Sequence, residues 1–395
     1  MTFIYSDSIP YGATGVTYSG DAAGVVSPPA VTYRYLFVNI LTGAIKAEVP
    51  LTGVDFTQSL NAAGTLNAHI MISNVQSNLS GFLSYSNPTQ YAIYVDRNGV
   101  IIWGGVIWMR SYNSKTQTLT FTAREWLSYF EKRVIASTTV FNAQDQLFVA
   151  QQLITNTKSI FNGDVGLLSN VDPLSTVTSG VSVTQTYFSY ELKPVFTAIQ
   201  ELSRQSGGFD FAVDCYYDGG GNIAKSFNTY YPRRGIAYSS SKASAPVFEF
   251  PAGNVVEYTY PEDGSVVGNV TYVQGAGSNE GKLVANSSSG LTQYPAYEYV
   301  ASYNNVTDPV VLANLATGLN KALKLPAVTI TMLVNPNLDP VLGSYRVGDD
   351  VRVRIRDPRI AGLDATYRIV AIKVQAGEKS PERVTLTLAE AGTSV

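Results

Sequence analysis

Residues 346–358 read RVGDDVRVRIRDP, a polar turn followed by strict alternation of apolar and basic side chains. A period of two is typical of a strand with one buried face, so we expect the valines and the isoleucine to face a core. Asp-Pro should end this strand. Two further strands are predicted at 367–374 and 383–388. Three strands alone make a domain of little stability, so we expect them to close a small barrel with strands from earlier in the chain.

A series of short strands is also predicted in the first third of the chain. Its clearest signal is Asn98-Gly99, because Asn-Gly supplies the positive φ angles of a tight hairpin. The predicted strands are 33–39, 45–50, 54–60, 64–72, 90–96, 100–109 and 116–122. Strands at this spacing favour a barrel or a sandwich.

Helical spacing appears between the two strand-rich parts of the sequence. A short helix is predicted at 123–130, and longer ones at 142–158, with Asn142 as its cap, at 193–206, and from a Thr307 cap up to Pro326. Further strands are predicted at 209–217, 226–231, 246–260, 266–274 and 327–334, and loops at 162–182 and 275–291.

The order of these elements resembles that of phage tail hub proteins. The similarity rests on the Gly-Asp turn before an alternating strand, the hairpin 94–100 with WGGV at 103–106 behind it, and KRVI at 132–135 after a short helix. The resemblance implies a mainly β (α+β) fold, with two small β-barrel domains related by rough duplication and an α+β middle segment.

The expected domain boundaries follow from this reading. They are an extended N-terminal arm at 1–32, a first β-barrel with its exit helix at 33–134, a middle α+β domain at 135–247, and a second β-barrel at 248–395, built from 248–275 and 327–395 with an inserted loop and helix at 276–326.

Composition argues against several classes of protein. Charged residues make up 14% of the chain, against about 25% in an ordinary soluble domain, and 26 tyrosines are present, which suits large buried contacts in an assembly. The net charge of -3 disfavours dedicated nucleic-acid binding, and the single Cys215 excludes an intrachain disulfide. The first residues do not read as a signal peptide and no apolar run is long enough to span a membrane, so we expect assembly in the host cytoplasm.

Residues that could carry catalysis are few. His69 is the only histidine, so a Ser-His-Asp triad would have to use it, and zinc is disfavoured. Asp210 and Asp214 share one face of a predicted strand, but at about 13 Å they are farther apart than the carboxylates of glycosidases. The sequence therefore predicts no enzyme activity, no cofactor and no metal.

The arginines of the alternating strand are the candidate functional residues. Arg352, Arg354, Arg356 and Arg359 are expected to line a lumen or a subunit interface. A solvated strand face is the alternative reading of the same pattern.

The resemblance implies a geometric rather than a catalytic role. Hub proteins form a trimeric ring in which two similar barrels per chain imitate six subunits, so that the ring continues the tail tube and adapts six-fold tube symmetry to a three-fold tip. The expected partners are two further copies of the chain, a distal tail or tail tube protein, the tape measure protein, and other minor tail, spike or fibre proteins. The expected location is the virion tail tip, and the resemblance is to minor tail proteins of long-tailed, non-contractile siphophages of actinobacteria.

Two other functions remain open from the sequence. A receptor- or carbohydrate-binding tail protein could use Trp103 and Trp108 as sugar-stacking platforms. A peptidoglycan hydrolase is the second alternative, and the end of the sequence at Val395, just after the predicted barrel, makes an appended hydrolase domain less expected.

Overall fold

The computed structural model describes residues 31–169, 178–238, 245–304, 306–360, 362–377 and 381–390. The predicted N-terminal arm lies outside this part of the chain, apart from its last two residues. The strands are β1 (Tyr33–Asn39), β2 (Ile45–Glu48), β3 (Thr52–Ser59), β4 (Thr65–Met71), β5 (Tyr91–Arg97), β6 (Val100–Asn113), β7 (Thr118–Glu125), β8 (Thr139–Asp145), β9 (Leu167–Ser169), β10 (Ser182–Tyr187), β11 (Asp210–Tyr217), β12 (Ile223–Tyr230), β13 (Val247–Phe250), β14 (Val255–Thr259), β15 (Glu262–Asp263), β16 (Val270–Gln274), β17 (Val284–Ser288), β18 (Glu298–Ser302), β19 (Ala327–Val334), β20 (Asp350–Ile355), β21 (Leu363–Gln375) and β22 (Arg383–Glu390). The α-helices are α1 (Leu79–Tyr85), α2 (Leu127–Phe130), α3 (Gln146–Asn156), α4 (Val195–Ser203) and α5 (Pro309–Leu323).

One long sheet connects the two strand-rich parts of the chain. Its strand order is β14-β19-β22-β21-β3-β4-β7-β6-β5-β1-β2, with β20 also on β21, β13 on β20, and β15 on β19. We call β1–β7 the first lobe, and β13–β15 with β19–β22 the second lobe. The lobes meet where β21 pairs antiparallel with β3.

The two lobes have the same strand order. The first lobe runs β3-β4-β7-β6-β5-β1 and the second β14-β19-β22-β21-β20-β13. When the short strands β2 and β15 are left out of the count, each lobe therefore runs second, third, sixth, fifth, fourth, first by position along the chain. The last pair differs, because β5 and β1 are antiparallel whereas β20 and β13 are parallel. No strand pairing among the described residues closes either lobe. The mainly β class is therefore confirmed, whereas the prediction of two barrels related by duplication is not.

The predicted alternation decides which face of the second lobe is buried. Val351, Val353 and Ile355 are fully buried, and the arginines between them point to the other face. Burial of such side chains is the main stabilising term in folding. They belong to one apolar cluster that extends through both lobes, as far as Phe37 and Phe121 of the first.

A second apolar cluster joins the middle of the chain to the first lobe. Trp126, Leu127 and Phe130, which the sequence predicted on a helix, are buried there against α3, α4 and β11. The predicted helix at 123–130 is shorter than expected, because β7 continues to Glu125 before α2 begins.

A third cluster lies under α5. This helix packs its buried leucines, Leu312 and Leu315, on the small sheet β17-β16-β18. The sequence had predicted a loop at 275–291, but Val284–Ser288 is a strand that pairs with β16. Its Ser and Asn side chains have little strand propensity, so tertiary pairing decided the outcome.

Two predicted helix caps are wrong by one to three residues. Asn142 lies in β8, which pairs with β10, and the side chain of Asp145 caps α3 by accepting a hydrogen bond from Leu147 N at 2.9 Å. Asp308, rather than Thr307, caps α5 by accepting from Val310 N at 2.7 Å. The first error arose because no strand was predicted at 183–187, where β10 pairs with β8.

The hairpin signal is confirmed. Asn98 and Gly99 connect β5 and β6 with φ angles of 54° and 83°, as a type I′ turn requires.

Candidate functional site

The arginines of β20 lie on an exposed face and share two acidic partners. Arg352 donates two hydrogen bonds to Asp364, at 2.6 and 2.7 Å, and these hold the pKa of that carboxyl below its usual value. Arg354 lies 3.7 Å from the same carboxylate and 3.9 Å from Glu249. Arg356 lies 3.3 Å from Glu249 and is the most exposed of the three. The strip is therefore partly neutralised within the chain.

Arg359 lies apart from this strip. It follows Asp357 in the short turn after β20, where its backbone N–H donates to the Asp357 carboxylate at 3.0 Å. The structure thus brings three of the four predicted residues together and places the fourth beside another surface. Their role as lumen or interface residues stays a prediction.

The Gly-Asp turn before β20 holds the segment that leaves the middle of the chain. Asp349 accepts hydrogen bonds from Ile236 N at 2.7 Å and from Arg346 N at 2.9 Å. Asp350 accepts from Arg233 Nη2 at 2.6 Å and from Tyr238 N at 3.2 Å. Both carboxylates are buried, and they fix residues 233–238 against the second lobe.

Two glycines let the backbones cross closely at this point. A Cβ on Gly348, at φ +102°, would lie 2.7 Å from the Arg234 carbonyl oxygen. A Cβ on Gly235, at φ +85°, would lie 2.3 Å from the Gly348 carbonyl carbon. Both positions need glycine for their backbone conformation and for the space.

Asp210 and Asp214 belong to the same junction. Asp210 accepts from Asn61 Nδ2 at 2.8 Å and from Arg234 N at 2.7 Å, and forms a buried ion pair with Arg368. Asp214 accepts a hydrogen bond from Arg234 Nη2 at 2.6 Å. Burial alone would raise the pKa of Asp214, but Arg234 and two further hydrogen-bond donors hold it below its usual value. Each carboxylate therefore neutralises an arginine, an arrangement that serves structure rather than acid–base chemistry.

The arginines of this junction were not singled out from the sequence. Arg233, Arg234 and Arg368 have no motif spacing, and their partners lie up to 158 residues away along the chain. The polar Gly-Asp turn is a part of this junction that the sequence analysis had noted.

A cavity of about 440 Å³ lies between the two lobes and β11. Trp103, Glu125, Arg234, Tyr345 and Val374 are among its lining residues. Burial raises the pKa of Glu125 to about 8, although the Gly64 N–H and Arg234 oppose the shift. Glu125 Oε2 accepts from Gly64 N at 2.7 Å, so this carboxyl has a structural partner.

The two tryptophans are not arranged as a sugar platform. Trp103 is 1% exposed, and its Nε1 donates to the Thr57 carbonyl at 3.0 Å. Trp108 is half-buried and donates to Ser128 Oγ at 2.8 Å. The use of Trp103 as an exposed stacking surface is therefore wrong, and His69 is a half-buried residue of β4 packed on Gly53.

Across the described ranges, no three His, Cys, Asp or Glu side chains are grouped so as to hold a metal ion. The helices of the same ranges include none of the length and apolarity needed to cross a membrane.

Comparison with solved structures identifies the fold. A tail protein from Neisseria meningitidis superposes with a TM-score of 0.60 at 13% identity, covering 92% of this chain and 98% of the other. The chain has the fold of phage tail proteins. A 43 kDa prophage tail protein from Shewanella oneidensis gives a TM-score of 0.58 at 14% identity, with coverage of 92% and 100%. A prophage tail protein from Listeria monocytogenes gives 0.50 at 14% identity, with coverage of 92% and 95%.

No model of a known protein family matches the sequence, and no curated protein matches it at a significant level.

Proposed function

We propose that this chain is the structural hub of a phage tail tip. Three copies form a ring that continues the lumen of the tail tube and adapts its six-fold symmetry to a three-fold tip. The proposal assigns the chain to the virion, with assembly in the host cytoplasm, and to a geometric rather than a catalytic role.

The observation that carries this proposal is the repeated strand order of the two lobes and their edge-to-edge joint. One chain presents two similar β lobes side by side, so three chains present six. A ring of identical chains needs heterologous contacts, in which two different surfaces of the chain meet. The tail-protein fold and the low content of charged residues support the same role.

The domain boundaries enter the proposal as predicted. The first ring unit is 33–134, the second is 248–395 with its insertion at 276–326, and 135–247 is the middle α+β domain. The two lobes act as the barrels of a hub, and Arg352, Arg354, Arg356 and Arg359 face the lumen or a neighbouring subunit. Partners on the two sides of the ring are a tail tube or distal tail protein with the tape measure protein, and a spike, fibre or other minor tail protein. A non-contractile tail and an actinobacterial host stay predictions.

Cryo-electron microscopy of the virion tail tip tests the proposal. We expect a three-fold ring with six β lobes around a channel, joined to the tube. Density at the tail periphery, away from the axis, would overturn the hub and favour a receptor-binding protein. A two-fold dimer of the isolated chain in light scattering would also contradict it.

A further inference from the structure

The joint between the two lobes is made by one half of a long strand. The first half of β21 pairs with β20, and its second half, Ala371–Gln375, pairs with β3. A bulge against β22, between Ile369 and Ala371, separates the two halves. In this register Ala371 faces Ser59 and Gln375 faces Asp55.

Strand β6 of the first lobe has the same construction. Its first half pairs with β5, and a bulge against β7 lies between Ile107 and Met109. Its second half, Met109–Asn113, pairs with β7 on one side and with no strand of the described chain on the other. Met109 and Tyr112 are 52% and 54% exposed. This edge corresponds to the β21 edge that joins the lobes, but it has no partner strand.

The second lobe contains the counterpart of the receiving strand β3. Ile107 faces Ala123 in the first lobe as Ile369 faces Leu388 in the second, which fixes a common register. The strand pairs carry this register from β7 to β4 in the first lobe and from β22 to β19 in the second. Asn67 of β4 therefore takes the same position as Thr331 of β19.

Their neighbours on the receiving strands then correspond as well. Asn67 faces Asp55, and Thr331 faces Thr259. Residues 259–263 therefore correspond to residues 55–59 without a gap, and Glu262 and Asp263 are exposed.

We propose that Met109–Asn113 of one copy pairs antiparallel with residues 259–263 of a second copy, repeating between chains the joint that links the lobes within one chain. In the equivalent register Arg110 faces Glu262 and Tyr112 faces Tyr260. The inference rests on the proposed ring and names the two edges that build it.

Pro261 fits this register. Leu60 N donates to Val370 O at 2.9 Å, and Ala376 N donates to Val54 O at 2.9 Å. Leu60 and Val54 therefore turn their backbone N–H and C=O groups toward β21. Since this direction alternates along an antiparallel strand, the N–H of Thr57 points away from β21. Pro261 occupies the position of Thr57, so its missing N–H removes no donor from the free edge.

The surface beside the receiving edge is shaped for an added strand. A groove of about 900 Å³ runs along it, lined by residues that include Tyr258, Tyr260, Arg359 and Ile360. Arg359, the predicted interface residue that lies apart from the strip, therefore borders the edge. An exposed edge with a flanking groove is the arrangement used when a strand is added to a sheet.

The charges on the two edges are complementary. Strand β6 ends at Asn113, and Lys115 lies in the turn that follows it, close to the level of Glu257 in this register; both side chains are exposed. Opposite charges brought close together across the joint stabilise it weakly, whereas like charges destabilise it.

Cysteine crosslinking tests the register. Ser111 and Pro261 would form a pair that is not hydrogen-bonded, with Cα atoms about 4.5 Å apart, inside the range that a disulfide spans. The full chain carrying Ser111→Cys and Pro261→Cys should, after oxidation, run as a covalent trimer on a non-reducing gel and return to monomer with reductant. The matched control, Ser111→Cys with Glu257→Cys, is displaced by four residues or about 13 Å and should give no crosslink. Cys215 is present in both variants.

Light scattering of the same samples separates the two proposals. Trimers without a crosslink would overturn the strand joint and leave the hub standing. A crosslinked ladder that continues past three chains would support the joint and overturn the three-copy ring. Monomers at all concentrations, with no crosslink, would overturn both.

A charge exchange gives an independent measurement. Glu257→Lys should lower the trimer fraction several-fold at low salt, and Lys115→Glu in the same chain should restore it. Failure of the second change to restore the trimer, with both variants folded by circular dichroism, would count against the register.

Discussion

Arg97 donates two hydrogen bonds to the carboxylate of Glu382, from Nε at 3.0 Å and from Nη2 at 2.9 Å. Arg97 ends β5 at the Asn-Gly hairpin of the first lobe, and Glu382 precedes β22 of the second. Both side chains are largely buried, and Tyr33 donates a third hydrogen bond to Glu382. The hairpin is thereby fixed to the other lobe by a bidentate ion pair, the strongest geometry available to arginine and a carboxylate.

Replacing Arg97 should weaken the whole two-lobe sheet. Arg97→Met leaves Glu382 buried without its cation, and we expect a loss of about 3–5 kcal/mol in the free energy of unfolding. Urea denaturation measures this loss. The control is Arg352→Met, which breaks the exposed pair with Asp364 and should cost under about 1 kcal/mol. Equal effects of the two changes would show that the Arg97 pair does not fix the lobes.

Glu125 should make stability fall as the pH rises. Its pKa is about 8 in the folded protein and near 4.5 in the unfolded chain, so between these values the folded state binds more protons. Stability from this group is therefore fully present below about pH 4.5 and is lost as the pH rises through 8. Scanning calorimetry of the wild type should show Tm falling between pH 6 and pH 9.

Glu125→Gln is the matched variant for that measurement. Gln cannot ionise and keeps one oxygen that can accept from Gly64 N. The decline of Tm from pH 6 to pH 9 should be shallower in the variant. An unchanged slope would assign the pH dependence to other groups.

The elements that the sequence predicts well are those with a local cause. The alternation of β20 fixes its buried face, and Asn98-Gly99 fixes its hairpin because only a few residues accept positive φ. The junction around Asp210 and Arg368 was not predictable, because its partners are 158 residues apart and no spacing joins them. The cap of α3 was misplaced for a similar reason, since the pairing of β8 with the distant β10 decides where the helix begins.

Charge inversion on the β20 strip should separate folding from assembly. Arg352→Glu with Arg354→Glu replaces exposed pairs of about 0–1 kcal/mol each by like charges beside Asp364 and Glu249, so the melting temperature should fall modestly while the fold is kept. If the strip faces a lumen or a subunit, ring assembly and infectivity should fall strongly. Lys46→Glu with Lys321→Glu makes the same charge change at two other exposed positions and serves as the control. If the arginine variant assembles as well as the wild type, the strip is an ordinary solvated face.

Gly348 and Gly343 form a matched pair for testing the junction at the Gly-Asp turn. Both have positive φ, +102° and +105°, so alanine costs about 1–2 kcal/mol of backbone strain at either position. They differ in space, because a Cβ on Gly343 meets nothing within 4 Å, whereas one on Gly348 would lie 2.7 Å from Arg234 O.

Gly348→Ala must therefore push the Arg234 backbone away and strain the hydrogen bonds that Asp349 and Asp350 make to residues 233–238. We expect Gly348→Ala to lose at least about 2 kcal/mol more than Gly343→Ala in urea unfolding, and to expose 233–238 to faster hydrogen exchange, because loss of a buried network adds to the strain. Equal losses with unchanged exchange would mean that backbone strain alone, and not the close crossing of the two segments, makes glycine necessary at this turn.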